Sequence, residues 1–313
     1  MKIILFGLGS IGKRYARLLL SEFPEHGLFA FRSEKACAPN EFGIREIHHW
    51  EEVDEIKPDC AFITNPTFKH IEVATRCAGH GMHLFIEKPV GSDTGGLDDL
   101  IGLLKQKGLT AYAAYCLRFH PVIKELKKRL EGVYIRHANV RCTSYLPEWR
   151  PGQNHLEGYS AYKEQGGGVM LELSHEFDYI EYLLGRIHNI TGHAGRRSDV
   201  TVDAEDWTDA LIRHEGGHFT NLHLNFFSRQ SQRHIEVDTE AGFFRADLIA
   251  CTLERSDGGG RETLRLPAER DGMFVEQMRY FFGNIQNPSL MNNLEEASHL
   301  FRKIIGFRES AVR

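Results

Sequence analysis

Gly7-Leu8-Gly9-Ser10-Ile11-Gly12 is a G-x-G-x-x-G run that follows the apolar stretch Lys2 to Phe6 and opens a helical pattern at Ile11. In that setting the spacing suits a pyrophosphate. Gly7 makes the tight turn, Gly9 lets the phosphates approach the backbone, and Gly12 lets the helix pack closely on the sheet. Ser10 and Ile11 then lie at the positive end of the helix, where anions bind. The alternative is a turn that holds nothing, and the placement between strand and helix favours the dinucleotide.

The next strand, Leu28 to Phe31, runs into Arg32-Ser33, where an acidic residue would bond a ribose 2'-hydroxyl. Arg32 can pair with a 2'-phosphate through its planar fork and Ser33 can donate one more hydrogen bond, which points to NADP and leaves NAD open. In the alternative, Arg32 is a surface cation with Glu34 as the acidic contact. Two further groups stand at later strand ends, where α/β sheets place their ligands. Thr64-Asn65-Pro66-Thr67 with His70 would support the nicotinamide side, and Glu87-Lys88-Pro89 sends an ammonium toward the same crevice. Taken alone, a lysine at a strand end is more often a solvated surface residue than a catalytic one, so its meaning depends on what faces it.

The elements that must carry these groups follow from periodicity. Strands at Lys2 to Phe6, Leu28 to Phe31, Cys60 to Thr64, His83 to Ile86 and Thr110 to Ala114 alternate with helices at Ile11 to Leu20, Phe68 to Gly79 and Leu97 to Lys107, which predicts a parallel sheet built from βαβ units. After a helix at Pro121 to Leu130 the pattern changes to long alternating strands: Val133 to Thr143, Trp207 to Arg213, Phe219 to Phe227, His234 to Thr239 and Phe243 to Ile249. Glycine turns at 214–218 and 257–260 predict hairpins. One helix, Val169 to Leu184, precedes this sheet, and two follow it, Phe274 to Ile285 and Leu294 to Phe307. The reading is a doubly wound parallel α/β domain over residues 1–118, then an α+β domain with a large, mostly antiparallel open sheet over residues 119–313.

Composition sets the outer bounds. The chain has 313 residues, 42% hydrophobic and 26% charged, with 30 Gly and 10 Pro, which excludes collagen-like and disordered classes. Its formal charge of -5 and lack of a basic block argue against a nucleic-acid partner. No apolar run reaches the roughly 18 residues of a membrane span, and six scattered cysteines read as reduced thiols of a cytoplasmic protein. Adjacent His48-His49 and the turn residues His214 and His218 do not make a metal site, and Lys127-Lys128-Arg129 reads as a solvated helix face.

Gly7-x-Gly9-x-x-Gly12, Asn65-Pro66 with His70, Glu87-Lys88-Pro89, Tyr115 to Pro121, the Gly166-Gly167-Gly168 entry into a His-bearing helix and the late segment Met273 to Phe281 together resemble the glucose-fructose oxidoreductase / inositol dehydrogenase / rhizopine-catabolism (Gfo/Idh/MocA) family. The resemblance spans nearly the whole chain. It implies a Rossmann domain, a second domain that shapes a polar substrate site and builds dimers or tetramers, and hydride transfer between NAD(P) and a hydroxyl or keto carbon of a sugar, cyclitol or nucleotide sugar. It further implies Lys88 beside the nicotinamide, His175 as general base and Arg118 near the cofactor. Glu172 stands where the family more often has Asp, and His175 follows it by three residues instead of four; either spacing keeps the pair on one helix face. Asp178 would orient the imidazole or contact substrate. Tyr145, Trp149, Arg150, His155 and Tyr162 would supply substrate contacts. Arg32, Lys88 and Arg118 would form a local positive cluster. Two other outcomes stay open: an NAD-dependent glycosidase without net redox, and a cofactor-sensing module without catalysis.

Overall fold

The computed structural model describes residues 1–32, 39–150 and 152–311. They fall into two compact units, Met1–Ala114 with Phe274–His299, and Tyr115–Met273 with Leu300–Arg313. The expected division at residue 118 with all later residues in one domain therefore differs in two ways. The crossover comes slightly earlier, and a C-terminal segment returns to the first unit. The return has a physical reason, because Tyr15, Phe62, Phe85 and Tyr112 need a cover that Phe274, Phe281 and Phe282 provide through edge-on and tilted ring contacts.

The first unit is a six-stranded parallel sheet. Its strands are β1 (Lys2–Phe6), β2 (Gly27–Phe31), β3 (Arg45–Ile47), β4 (Cys60–Ile63), β5 (His83–Ile86) and β6 (Ala111–Ala113), in the order β3-β2-β1-β4-β5-β6. Ile3, Ile4, Leu5, Ala61, Phe62 and Ile63 are fully buried, as continuous apolar strands covered on both faces must be. Helices α1 (Ser10–Glu22), α2 (Trp50–Ile56), α3 (His70–Gly79) and α4 (Leu97–Lys107) connect the strands. The chain order reverses at β1, between β2 and β4, and this switch point is where an open α/β sheet leaves a crevice at its carboxyl edge. β3 and α2 are absent from the sequence reading. A three-residue strand carries too little periodicity to register.

The second unit begins with α5 (Pro121–Arg129) and holds an eight-stranded sheet: β7 (Ile135–Tyr145), β8 (Ile187–Gly195), β9 (Trp207–His214), β10 (Phe219–Asn225), β11 (Phe227–Thr239), β12 (Gly242–Asp247), β13 (Thr252–Asp257) and β14 (Gly260–Arg265). The order is β14-β13-β12-β11-β7-β10-β9-β8, antiparallel except where β10 lies parallel to β7. β9 shows the logic of a half-covered sheet: Thr208, Ala210 and Ile212 are buried while Asp209 and Leu211 face out. α5 packs on β12 and β13, and the short α6 (Val169–Glu172) and α7 (Ser174–Leu184) cover the face formed by β7, β9 and β10. Both glycine hairpins occur as expected, joining β9 to β10 and β13 to β14.

Two expectations are corrected here. The strand expected over Phe219 to Phe227 ends at Asn225, because Phe226 turns fully inward against Trp149 and exchanges main-chain hydrogen bonds with Asp206 and Leu146. The single helix expected over Val169 to Leu184 breaks at Leu173, whose φ of -99° and ψ of 30° end α6 before α7 begins. The last two helices are α8 (Gly272–Gly283) and α9 (Leu294–Ala311).

Candidate functional site

The glycine run does at atomic level what its spacing demands. Gly7 sits at φ +101°, and a Cβ there would lie 2.8 Å from the Cα of Asn65. A Cβ on Gly12 would lie 2.1 Å from the Gly7 carbonyl oxygen and 2.9 Å from Thr64 Oγ1, so this glycine seats α1 against the sheet. Thr64 Oγ1 donates toward the carbonyls of Phe6 and Gly7 and fixes the turn. Gly9, by contrast, has nothing within 4 Å of where its Cβ would be. It caps α1 with no side-chain hydrogen bond, and the first turn of α1 carries no acidic residue. Exposed Gly9 and Ser10 thus leave the helix N-terminus open to an anion.

A cleft of about 340 Å³ opens beside this turn, lined by Gly7, Leu8, Arg32, Trp50, Asn65, Pro66, Lys69 and Arg76 among others. Trp50 stacks on Phe6 and lies under the Arg76 guanidinium at 4.1 Å, so the wall is aromatic and cationic at once. The side-chain oxygen of Asn65 is buried and meets no hydrogen-bond partner among the described residues. An open helix end, an unanswered buried acceptor and a cationic aromatic wall fit a dinucleotide, with Gly7, Gly9, Ser10, Ile11, Gly12, Asn65, Pro66 and Arg32 as the residues that would hold it. Arg32 has a protein partner the sequence reading does not contain, Glu46 of β3 at 2.9 Å. Ser33 and Glu34 lie outside the described residues.

The Glu87-Lys88-Pro89 turn is anchored from beneath. Tyr15 of α1 donates to Glu87 Oε1 at 2.6 Å, the Gln277 amide of α8 donates to the Tyr15 oxygen at 2.8 Å, and Glu87 Oε2 accepts the Lys88 main-chain N–H at 3.0 Å. Burial pushes the Glu87 carboxyl above its ordinary range, against the opposing pull of the Tyr15 hydrogen bond and the Lys88 charge. Lys88 itself is half-buried, and the Lys88-Pro89 peptide bond is cis. His70 is only 2% exposed, and its Nδ1 and Nε2 lie 2.9 and 2.8 Å from the carbonyls of Pro89 and Asn65. Burial holds its pKa below the ordinary value, with the two carbonyls opposing. His70, expected to support the nicotinamide side, is a brace between two turns. His70 ties the Asn65 turn to the lysine turn, and Thr67, also buried, starts the helical turn between them.

In the second unit Arg118 and Asp178 are paired to each other. Arg118 Nε and Nη2 donate to both carboxylate oxygens, the shortest contact being 2.7 Å, with both side chains almost fully buried and the guanidinium 4.8 Å over Tyr182. Breaking a buried pair of this kind is strongly destabilising, so the expected duties of Arg118 at the cofactor and of Asp178 at the imidazole yield first to this contact. The break at Leu173 also separates Glu172 from His175, which the sequence places on one helix face. Glu172 closes α6 and accepts from Ser160 Oγ at 2.7 Å, while His175 opens α7, partly exposed, with its ring edge-on to buried Tyr115 at 5.7 Å. Burial, with help from Asp178, raises the Tyr115 phenol above its ordinary pKa.

Other partners carry no motif. Arg308 of α9 donates to Glu205 and to the Gly167 carbonyl, and Glu205 packs where a Gly168 Cβ would be, at 2.4 Å. Gly167 would meet the Tyr159 carbonyl at 2.4 Å. The triple glycine is therefore the signal for this clamp, since only glycine permits such approach. A second cavity of about 350 Å³ is walled by Leu146, Trp149, Arg150, His155 and Ser160, so three of the expected substrate contacts share one pocket. Tyr145 is instead occupied by Arg229, which donates to its hydroxyl and stacks at 3.6 Å.

Residues 1–115 match an oxidoreductase family with an NAD-binding Rossmann fold, Gfo/Idh/MocA, and residues 134–245 match the C-terminal domain of the same family. The myo-inositol 2-dehydrogenase of Thermotoga maritima is 26% identical, covering 92% of this chain and 89% of its own length. A 2,7-anhydro-N-acetylneuraminate hydratase of Escherichia coli K12 is 27% identical over 41% of this chain, and the chain spans 34% of that protein. The UDP-N-acetylglucosamine 3-dehydrogenase structure from Acidithiobacillus ferrooxidans has the same fold, with a TM-score of 0.82 at 20% identity over 99% of this chain and 97% of that one. With both family regions matched in order along the sequence, this chain belongs to the Gfo/Idh/MocA oxidoreductases.

Proposed function

We propose that the protein is an NAD(P)-dependent dehydrogenase or reductase acting on a CH-OH carbon of a sugar, cyclitol or nucleotide sugar, with NADP the preferred cofactor. The observation that carries the reading is the open α1 N-terminus at Gly9 beside a cleft whose wall includes Arg32, Lys69 and Arg76. A bound nicotinamide supplies hydride acceptance or donation. The chain's own contribution is positional and electrostatic. Lys88, on a turn anchored through Glu87, would hydrogen-bond the substrate oxygen and stabilise negative charge developing there. His175 would take the hydroxyl proton, the general-base role that histidine most often fills. The cavity around Trp149, Arg150 and His155 offers an aromatic ring with polar donors, the mixture that suits a polyhydroxylated ligand.

A screen of NAD and NADP reduction with myo-inositol, UDP-N-acetylglucosamine and a panel of related polyols tests this reading. Lys88→Ala and His175→Ala should each abolish turnover while nucleotide binding persists. Wild-type turnover in either variant removes that residue from its role. A second reading, a cycle without net redox, is favoured by the hydratase among the relatives; it requires product release with no accumulation of reduced cofactor.

A further inference from the structure

Gln277 belongs to α8, on the C-terminal segment that returns to the first unit, and its side chain is fully buried. Its amide nitrogen donates to the Tyr15 hydroxyl oxygen at 2.8 Å, and Tyr15 in turn donates to Glu87 Oε1 at 2.6 Å. A phenol has a single proton. With Gln277 donating to the oxygen, that proton is committed to Glu87, and accepting the one bond strengthens the other. The second oxygen of Glu87, Oε2, accepts the Lys88 main-chain N–H at 3.0 Å. Both carboxyl oxygens therefore meet donors, and neither bonds an acceptor among the described residues. Such an arrangement is complementary to the ionised form, which burial alone disfavours. Two other charges face the group, the Lys88 ammonium on its own turn and the Arg14 guanidinium of α1, and both favour the carboxylate. His70 of α3 meets the same turn at the Pro89 carbonyl.

We propose that Gln277 and Tyr15 are positioning residues for the Lys88 turn: acting through Glu87, they keep a fixed negative charge and a main-chain acceptor beside the lysine. The proposal rests on the reading of Lys88 as the group that bonds the substrate oxygen. A neutral Glu87 accepts the Lys88 N–H less strongly and withdraws this counter-charge from the ammonium. The turn is then held less firmly at the point where a substrate oxygen must be met within hydrogen-bond distance, and small misplacements there are costly to the rate. Helix α8 thus takes part in the reaction through a chain of two hydrogen bonds, although it contributes nothing to the phosphate turn or the lysine turn themselves. Gln277 is 262 residues from Tyr15, so no local pattern contains the pair.

Infrared pH titrations of the full-length protein, each read against the same protein carrying Glu87→Gln, isolate the Glu87 carboxyl band. Tyr15→Phe removes one charge-assisted bond and should move that titration up by about one to two pH units. Gln277→Met leaves Tyr15 and Glu87 in place and should move it in the same direction by about half a unit or less. Turnover of a polyol that the wild type oxidises supplies the second readout. The ratio of Tyr15→Phe to wild-type kcat should fall to roughly a tenth or less on the acid side and return toward one as pH rises, a recovery that a merely structural defect does not show. Glu87→Gln, which cannot become a carboxylate, should lose turnover without that recovery. A ratio constant with pH, a Glu87 titration unmoved in either variant, or a Glu87→Gln protein that turns over like wild type overturns the proposal. Lys88→Ala separates the two levels. If it turns over like wild type, the reading of Lys88 fails while the infrared shifts stand; if it is inactive and the Tyr15 and Gln277 variants titrate like wild type, only the relay fails.

Discussion

The second and third glycines of the motif, Gly9 and Gly12, should respond oppositely to the same one-carbon change. Gly12→Ala places a methyl 2.1 Å from the Gly7 carbonyl oxygen, against an ordinary contact of 3.4 Å or more, so α1 must retreat by about an ångström from the turn. Overpacking against backbone costs about 1 to 3 kcal/mol, and the melting temperature should fall by several degrees. Gly9→Ala meets no atom within 4 Å, and φ of -71° with ψ of -169° is open to alanine. Alanine is a poorer N-cap than glycine but has less unfolded-state entropy to lose, so the net effect on stability should stay within about 1 kcal/mol. Its methyl occupies the space through which a pyrophosphate reaches the main-chain N–H groups. Each hydrogen bond to a charged acceptor contributes about 1.5 to 3 kcal/mol, so NADP binding should weaken roughly 10- to 100-fold. Thermal melts with and without NADP, paired with calorimetry, read both effects. Gly9→Ala that binds NADP like wild type would refute the placement of phosphates at this turn, and Gly9→Ala as unstable as Gly12→Ala would refute the packing distinction.

Two further outcomes follow from buried groups. Tyr15→Phe keeps the rings against Phe62 and Phe85 but leaves Glu87 and Gln277 without the hydroxyl between them; urea unfolding should show a loss of about 1 to 3 kcal/mol, with faster amide exchange at the Lys88 turn. His120 and His214 are both buried, with pKa values lowered to about 4 chiefly by desolvation. Their unfolded forms bind protons first, so the stability they lend is complete above about pH 6.5 and is lost as pH falls toward 4. Urea midpoints should drop across that window, and His120→Asn should flatten the drop; a pH-independent midpoint in the wild type contradicts the assignment.

What the sequence made legible was contiguous. β1, the glycine turn and α1 occupy one stretch whose periodicity and spacing are self-contained, and the β9–β10 and β13–β14 hairpins of the second unit are marked by their own glycines. The misses have physical causes. β3 has three residues, and β8 shows its buried positions only at Ile187, Ile190, Ala194 and Gly195, too irregular for a clean alternation. The break at Leu173 leaves no mark because Leu173 is a good helix former, and the interruption comes from its surroundings. Glu205 and Arg308 grip the chain just ahead of α6 while Ser160 holds Glu172 at its end.

The same limit explains the error in the electrostatics. Read singly, Arg32, Lys88 and Arg118 look like cations waiting for an anionic cofactor. Glu46 is 14 residues from Arg32 and Asp178 is 60 from Arg118, so neither carboxylate can be assigned to its partner from spacing. Once they are in place, Arg118 forms a neutral buried pair and Arg32 keeps only part of its field. Lys69 and Arg76, which stand on no motif, line the cleft instead, the first beside Phe68 and the second over Trp50. The cations that line this cleft beside Arg32 therefore come from α3 and the segment before it, next to the open N-terminus of α1. A cation identified by its place at a strand end describes a ligand contact only after its carboxylate partners are known, and for Arg32 and Arg118 a carboxylate arrives from another strand or helix.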